Sequence, residues 1–489
     1  MLKFEVAFNV HYSSINSLLV PLQISSSHFL IVIQLYFYVC AFNFAGSNLP
    51  SAARKAWVLR KTINFHKTLS NDQDRMEKYR KMAASPFAFL RGSAYLFYAE
   101  VKDRISKIPD NWLRRADFRS WISGDAHLYN LGFTASHGEL VFDLNDFDEA
   151  CVESIFYDLI RFLVSIKLIG QSLAFDLDEK DFTQLNLIFL ERYKSELLST
   201  PPGAITLNHM NGFLRSLGKR VLRKNSSKKQ MKKWCKLSES GLRFKTMPQK
   251  LVDLNSEEEG EFASGWQHYL EESAKAEVNV KKIRLLDAKK RVGSGLGSLG
   301  LLKIYALIRL EDQEVFKDFL LEIKQQRSAS AYIAMSHSQL SWHQARFTND
   351  AERVLHASRV LKSVSEPLTG VVSGSNYGSV VRRVSPWSRS VKIHDFKSEE
   401  DLENLLEFCA QALAQAHLRG ASDLGRIDTF RLAVTSFLDS TISGKISEVV
   451  RQSATQVHQD YQLFLNLLNE GSLGRRFSFQ NINLTPAKP

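Results

Sequence analysis

Apolar residues recur at helical spacing over long tracts of the chain and alternate with polar ones over a few short tracts, a contrast that predicts an α+β protein. Residues 53–82 are charged and contain neither Gly nor Pro, which predicts helix. In SPFAFLRGSAYLFYAEV (85–101), Pro86 at a first-turn position opens another helix. Residues 118–122 read as a short strand, and His137-Gly138 as a turn. After it, ELVFDLNDFDEA (139–150) places Leu140, Phe142 and Leu144 on one face, the alternation of a half-buried strand. Helical spacing returns over 156–173, and residues from about 180 to 285 read as mostly helical. From Asp287 the texture changes: DAKKRVGSGLGSLGLLKIYALIRL runs from a Gly-rich stretch into a strand, and FKDFLLEIK (316–324) is a second strand. Glu311 to Glu314 make a polar hairpin connection between those two strands. Helix resumes near 350–363 and dominates from Glu399, so two patches of sheet lie far apart in sequence, with no internal repeat.

Of 489 residues, 44% are hydrophobic and 24% charged. These globular proportions exclude disorder and low-complexity scaffolding, and the length allows two to four units or one large enzyme with insertions. The net charge of +12 is local: 215–250 holds thirteen Lys or Arg against one acid, Glu239, and the rest of the chain is close to neutral. That stretch matches a nucleic-acid or acidic-membrane patch by charge, but Trp234 and Phe244 are the only aromatic residues nearby, so a solvated insertion is the stronger reading and nucleic acid is not favoured as a partner. Cys40, Cys151, Cys235 and Cys409 are widely spaced, with no CxxC or CxxH, which excludes a disulfide framework or zinc ribbon and suits a reducing, cytoplasmic setting. The apolar run 29–45 leaves three readings open: a weak membrane anchor or signal, a buried or surface-lying helix, or residues added by an upstream start.

Three constellations carry chemistry. In the first, Asp125 and Asn130 of GDAHLYNLGF are followed by Asp143, Asp146 and Asp148 on a strand-to-loop edge. Phosphoryl transfer needs a carboxylate for the acceptor's proton, and an amide oxygen and carboxylate for the magnesium that neutralises nucleotide phosphates. Asp125 is the candidate base, Asn130 and Asp146 the candidate metal ligands, and Asp148 and Asp143 the next choices; His127 is a second candidate catalytic group or a positioner of the loop. Turn-capping accounts for such residues just as well when each motif stands alone. The second is the run from Val292 to Gly300, where Gly293, Gly295, Gly297, Ser298 and Gly300 let backbone N–H groups approach phosphate oxygens, with Lys324 on the following strand to neutralise them. It lacks the GK[ST] of a Walker A loop, and a strand rather than a helix follows. In the third, SPFAFLRG, Arg91 pairs either a phosphate or carboxylate ligand or an acid of the protein itself.

GDxHxxN and NDFDEA resemble the catalytic-loop and metal-loop motifs of aminoglycoside and choline phosphotransferases. Taken with KYRKMAASPFAFLRGSAYLFYAEV, DAKKRVGSGLGSLGL, LLEIKQQRSAS and LEFCAQALAQAHLRG, they resemble the bacterial family called domain of unknown function 2252, from about Arg75 to the C-terminal helices. The resemblance implies a two-lobed kinase-like fold, ATP and magnesium as cofactors, and an unidentified small-molecule acceptor. Kinases run Gly-rich loop, Lys, catalytic Asp, metal Asp, whereas here Asp125 and Asp146 precede Gly293 and Lys324, so the fold is expected to be circularly permuted with helical insertions. On that frame 1–50 is an apolar leader, 51–175 holds the catalytic and metal loops, 176–285 is a helical insertion with the basic stretch, 286–390 is the nucleotide lobe and 391–489 completes the helical lobe. Permutation places helix 405–420 beside Gly124-Asp125 and brings the Gly-rich run, Lys324, Asp125, Asn130 and Asp146 to one cleft. For the acid that pairs the lysine in kinases, the matching helix offers only Glu352 or His356; Asp158, on the helix after the metal loop, reads as structural. The leading function is an ATP- and magnesium-dependent phosphotransferase; the alternatives are an inactive nucleotide-binding or scaffold module, and a nucleic-acid or membrane-surface binder through 215–250.

Overall fold

The computed structural model describes residues 49–474, apart from 68–71, 137, 200–202, 240, 276–282, 294, 298, 313–314, 365, 367 and 375–377. The apolar run 29–45, Cys40, His137, Ser298 and the Gln313-Glu314 connection lie outside the described residues. Four helices open the chain: α1 (Ser51–His66), α2 (Asp72–Met82), α3 (Pro86–Gly92) and α4 (Ala94–Lys102). Ser85 caps α3, its Oγ accepting the Ala88 N–H at 3.0 Å, with Pro86 in the first turn. Trp57, Tyr79, Phe89 and Tyr95 from these helices pack with Phe464 and Leu467 in one apolar cluster. Beside it Arg54 is buried between Glu100 and Asp460, its Nε donating to Asp460 Oδ1 at 2.8 Å.

After α5 (Asp110–Arg114), β1 (Arg119–Ile122) pairs antiparallel with β4 (Cys151–Ser154), and between them β2 (Leu131–Ser136) and β3 (Glu139–Leu144) form a hairpin. Leu140, Phe142 and Leu144 are buried as their alternation requires, but Val141 and Asp143 are buried too, because the strand is covered on both faces. Helix α6 (Phe156–Ile169) is buried along nearly its whole length and forms the axis of the largest core cluster.

The tract from 180 to 285 is mostly helical, as expected, but short strands interrupt it. It contains α7 (Glu179–Leu198), α8 (Gly212–Lys224), α9 (Ser227–Trp234) and α10 (Ser256–Lys275), but also the short strands β5 (Ile205–Thr206) and β8 (Leu251–Val252) and the hairpin β6 (Cys235–Ser238)–β7 (Gly241–Phe244). Tertiary packing overrides propensity there: Trp234, Cys235, Phe244 and Leu251 join Tyr305, Leu307 and Leu320 against a sheet face, and the lysines between them face solvent.

That sheet has six antiparallel strands in the order β12-β13-β11-β10-β9-β8, adding β9 (Ile283–Arg291), β10 (Lys303–Asp312), β11 (Val315–Gln325), β12 (Gly370–Ser373) and β13 (Gly378–Arg383). Alternation separates its faces. Ile304, Ala306, Ile308, Leu321, Ile323 and Val381 pack with Phe262, Trp266 and Tyr269 of α10, while Lys303, Glu322, Lys324 and Arg382 stand on the other face. Helices α11 (His337–Arg346) and α12 (Asp350–Leu361) lie between β11 and β12, and β14 (Arg389–Ser390) joins the edge of β2.

The chain ends its described part in α13 (Glu399–Asp423), α14 (Ile427–Phe437) and α15 (Ser440–Asn469). Helix α13 lies on β1, nearly 300 residues earlier: Ser120 Oγ donates to the His417 carbonyl at 2.6 Å and Trp121 Nε1 to Asp423 at 2.9 Å. Gly420 permits the approach, since a Cβ there would sit 2.4 Å from Ser120 Oγ. Among the described residues no helix is long and apolar enough to cross a membrane.

Candidate active site

The loop after β1 is set by its backbone. Asp158, fully buried on α6, accepts the N–H groups of Ser123 and Gly124 at 2.7 and 2.9 Å, and its Oδ2 lies 3.3 Å from His417 Nε2 on α13. Tyr98 OH donates to the Gly124 carbonyl at 2.7 Å. Gly124 has φ +74°, and a Cβ there would meet the Glu149 carbonyl oxygen at 2.0 Å, so only glycine fits. The chain is thereby turned to present Asp125. Its Oδ1 accepts from Arg161 Nε at 2.5 Å, and Asn130 Nδ2 donates to its carbonyl at 2.9 Å. Burial raises the Asp125 carboxyl to about 7 against the pull of Arg161, and Glu149 and Asp146 add to the rise. His127 Nε2 stands 3.7 Å from Asp125 Oδ2, beyond hydrogen-bond reach, and burial together with Arg91 and Arg161 holds its imidazole neutral.

The second wall is the loop from Asn145 to Ala150. Arg353, buried on α12, donates to the carbonyls of Asp148, Ala150 and Arg327 and so fastens this loop to the end of β11. Lys324 Nζ ion-pairs with Asp148 and lies 3.6 Å from Asp146. Burial and Asp146 raise Asp148, whereas at Asp146 the charges of Lys324 and Arg382 outweigh burial and hold it below the usual carboxylate range. Burial is likewise outweighed at Glu322, which Arg382 at 2.7 Å, Lys303 at 3.6 Å and Lys324 hold at about 2.

The third wall is the Gly-rich turn between β9 and β10. Gly293, Gly295 and Gly300 have positive φ. Leu296 is buried in the α1–α4 cluster, and the Gly297 carbonyl accepts from Lys78 at 3.3 Å and Arg327 at 3.4 Å.

These walls enclose a cavity of about 190 Å³. Of the residues singled out in the sequence, Asp125, His127, Asn130, Asp146, Asp148, Gly295, Gly297, Lys324 and Arg91 line it. Three stand apart. Asp143 faces the end of α12, where its Oδ2 accepts from Ser363 N and Oγ at 2.7 and 2.6 Å, because strand alternation puts it on the face of β3 opposite Phe142 and Leu144. Gly293 and Gly300 shape the turn without lining the cavity. Neither acid partner offered for Lys324 reaches it: Glu352 accepts from Thr348 N at 2.9 Å at the start of its own helix, and His356 Nε2 lies 2.9 Å from Asp423. Lys324 is held by Asp146 and Asp148 instead. Sequence reasoning missed Arg161, Glu149, Arg327, Arg353 and Arg382, whose positions follow from tertiary packing; Glu149 of NDFDEA and Arg327 of LLEIKQQRSAS lie inside stretches already in view.

Among the described residues no three His, Cys, Asp or Glu side chains are grouped to cage a metal ion. Magnesium is usually held by one or two carboxylates with substrate phosphates and water, and Asn130 with Asp146 and Asp148 supplies that smaller oxygen set. In the basic stretch Lys219, Arg220, Lys228, Lys229, Lys232 and Lys233 are exposed, whereas Trp234 and Phe244 are buried and present no ring on which a base could stack. Cys151, Cys235 and Cys409 are buried free thiols.

A family model described as an uncharacterized protein conserved in bacteria (DUF2252) matches residues 73–467. No curated protein and no solved structure matches the chain.

Proposed function

We propose, for a chain that belongs to the DUF2252 family of uncharacterized bacterial proteins, an ATP- and magnesium-dependent phosphotransferase that acts on a small molecule. One observation carries the reading: Asp125, Asn130, Asp146 and Asp148 share a cavity with Gly295, Gly297 and Lys324, which follow them by at least 147 residues. In this reading Asp125 receives or orients the proton of the acceptor hydroxyl. Its raised carboxyl favours it as a base that works near neutrality. Asn130, whose amide nitrogen is spent on the Asp125 carbonyl, keeps its oxygen for the metal, and Asp146 keeps its negative charge for the same use. Lys324 neutralises the nucleotide phosphates while the Gly-rich turn covers them. Magnesium, when bound, neutralises charge that develops on the phosphoryl oxygens.

A circularly permuted kinase-like architecture is proposed on the same grounds. It is supported by the contact of α13 with β1 and by Asp158 holding the backbone ahead of Asp125. A second reading, a nucleotide-binding module without turnover, is favoured by Arg161, which occupies Asp125 Oδ1. Thermal-shift titration with ATP, with and without magnesium, tests both. Asp125→Ala that abolishes ATP turnover and spares nucleotide binding supports the enzyme; an untransformed nucleotide with wild-type protein supports the module; no saturable nucleotide binding under any metal refutes both.

A further inference from the structure

Most cations on the cavity wall are already matched by acids: Lys324 by Asp146 and Asp148, Lys303 and Arg382 by Glu322, and Arg327 by Glu149 at 3.8 Å. Arg91 is not. Among the described residues its guanidinium has no hydrogen-bond or ion-pair partner, and its Nε is buried. Aromatic rings hold it in place, the guanidinium carbon lying 4.8 Å from the centroid of Tyr129 and 5.7 Å from that of Phe87. Lys392 Nζ also lies 4.0 Å from the Tyr129 centroid, so a second cation crowds the same ring. Ser123 and His127, 2% and 3% exposed, line the same cavity, and Ser123 Oγ and His127 Nδ1 have no partner. The hydroxyl offers a donor there, and so does the imidazole in its Nδ1–H tautomer.

A half-buried guanidinium whose Nε is buried, and two buried polar atoms, are costly to leave without partners unless a ligand compensates them. All three belong to the part of the cavity built around Asp125, through the loop 123–130 and α3. The cations around the Gly-rich turn, Lys78 and Arg327, are a separate set. We infer that the acceptor is an anionic small molecule, a hydroxyl-bearing carboxylate or phosphate ester whose anionic group is received by Arg91, Ser123 and His127 and whose hydroxyl is directed to Asp125. This rests on the phosphotransferase reading. The acceptor oxygen bonds to the γ-phosphorus of ATP as the bond from that phosphorus to the bridging oxygen breaks; the hydroxyl proton passes to Asp125, and ADP leaves with the broken bond's electron pair. A planar guanidinium fork suits both a carboxylate and a phosphate, so the chemistry shared by the two is what the site reads.

Isothermal titration of the full chain with glycerate, glycerol 3-phosphate and uncharged glycerol, with and without a non-hydrolysable ATP analogue and magnesium, tests this. Glycerate or glycerol 3-phosphate is expected to bind and glycerol is not, and whichever anion binds identifies the favoured source. Arg91→Met is expected to weaken that anion by about 10–100-fold and to leave nucleotide affinity within about threefold of wild type. Arg91→Lys, which keeps the charge and loses the fork, recovers only part of the loss, and circular dichroism of both variants verifies that they fold. Glycerol binding as tightly as the anions overturns the inference. So does an equal loss of nucleotide and anion affinity in Arg91→Met, which assigns Arg91 to the nucleotide phosphates. Nucleotide binding without anion binding overturns this inference alone, whereas Arg91-dependent anion binding without nucleotide binding overturns the acceptor assignment and the phosphotransferase reading together.

Discussion

Replacing Asp125 by Asn removes one titration and keeps the side-chain volume, so the pH dependence of the resulting stability difference reads the burial of that carboxylate directly. Burial lifts Asp125 from an ordinary 3.8 to about 7, with its side chain 14% exposed. The sign follows from proton linkage. Between the two values the folded protein keeps a proton that the unfolded chain has lost, so folding stability falls as pH rises through that window and levels off above about 7. At roughly 1.4 kcal/mol per unit, the whole displacement is worth about 4 kcal/mol, of which about 3 kcal/mol falls between pH 5 and 8. Urea denaturation of wild type and Asp125→Asn across that range is therefore expected to show the gap moving by about 3 kcal/mol in favour of the variant, because titrations common to both proteins cancel in the difference. A gap that stays constant within about 0.5 kcal/mol refutes the reasoning, since it means the carboxylate is ionised in the folded state throughout. On the phosphotransferase reading the same group gives kcat/KM a rise with pH through about 7.

Gly124→Ala forces a Cβ against the Glu149 carbonyl at positive φ, and thermal melting is expected to show a loss of about 1–3 kcal/mol. Asp158→Asn leaves two backbone N–H groups and His417 short of their charged acceptor; a loss of about 2–4 kcal/mol in chemical denaturation is expected. Lys324→Met strips the shared counterion from Asp146 and Asp148 and is expected to cost about 1–3 kcal/mol, a modest figure because Asp146 is 38% exposed, with added magnesium restoring part of it in the same assay. Converting Lys228, Lys229, Lys232 and Lys233 to Ser is expected to leave melting and nucleotide titration unchanged; an RNA affinity that falls steeply with salt and vanishes in this variant would favour the nucleic-acid reading.

The parts of the molecule legible in the chain are those written locally. Ser85-Pro86 begins α3, the alternation around Phe142 makes β3, and the spacing of Asp125, Asn130 and Asp146 describes two loops that do meet at one cavity. What tertiary packing writes was not legible. Asp143 and Asp146 look interchangeable along the sequence, but the pleat of β3 turns Asp143 to Ser363, whereas Asp146, in the loop beyond Leu144, lines the cavity. The kinase resemblance points to a helix for the lysine's partner, but Asp148 lies closer once Arg353 has fastened its loop. The strands at 235–244 were hidden because a basic, polar stretch carries little β signal until Tyr305 and Leu307 offer it a surface.

The packing of Gly420 against Ser120 has a consequence for biosynthesis. The segment that turns out Asp125 leaves the ribosome with Asp158 close behind it, but His417, which touches Asp158, and the helix that covers β1 emerge only after another 259 to 297 residues. At about 5–20 residues per second that is a delay of roughly 15–60 s. During it the strand is exposed to water and to chaperones, and a transcript cut short before codon 399 yields a chain whose cavity wall has no backing.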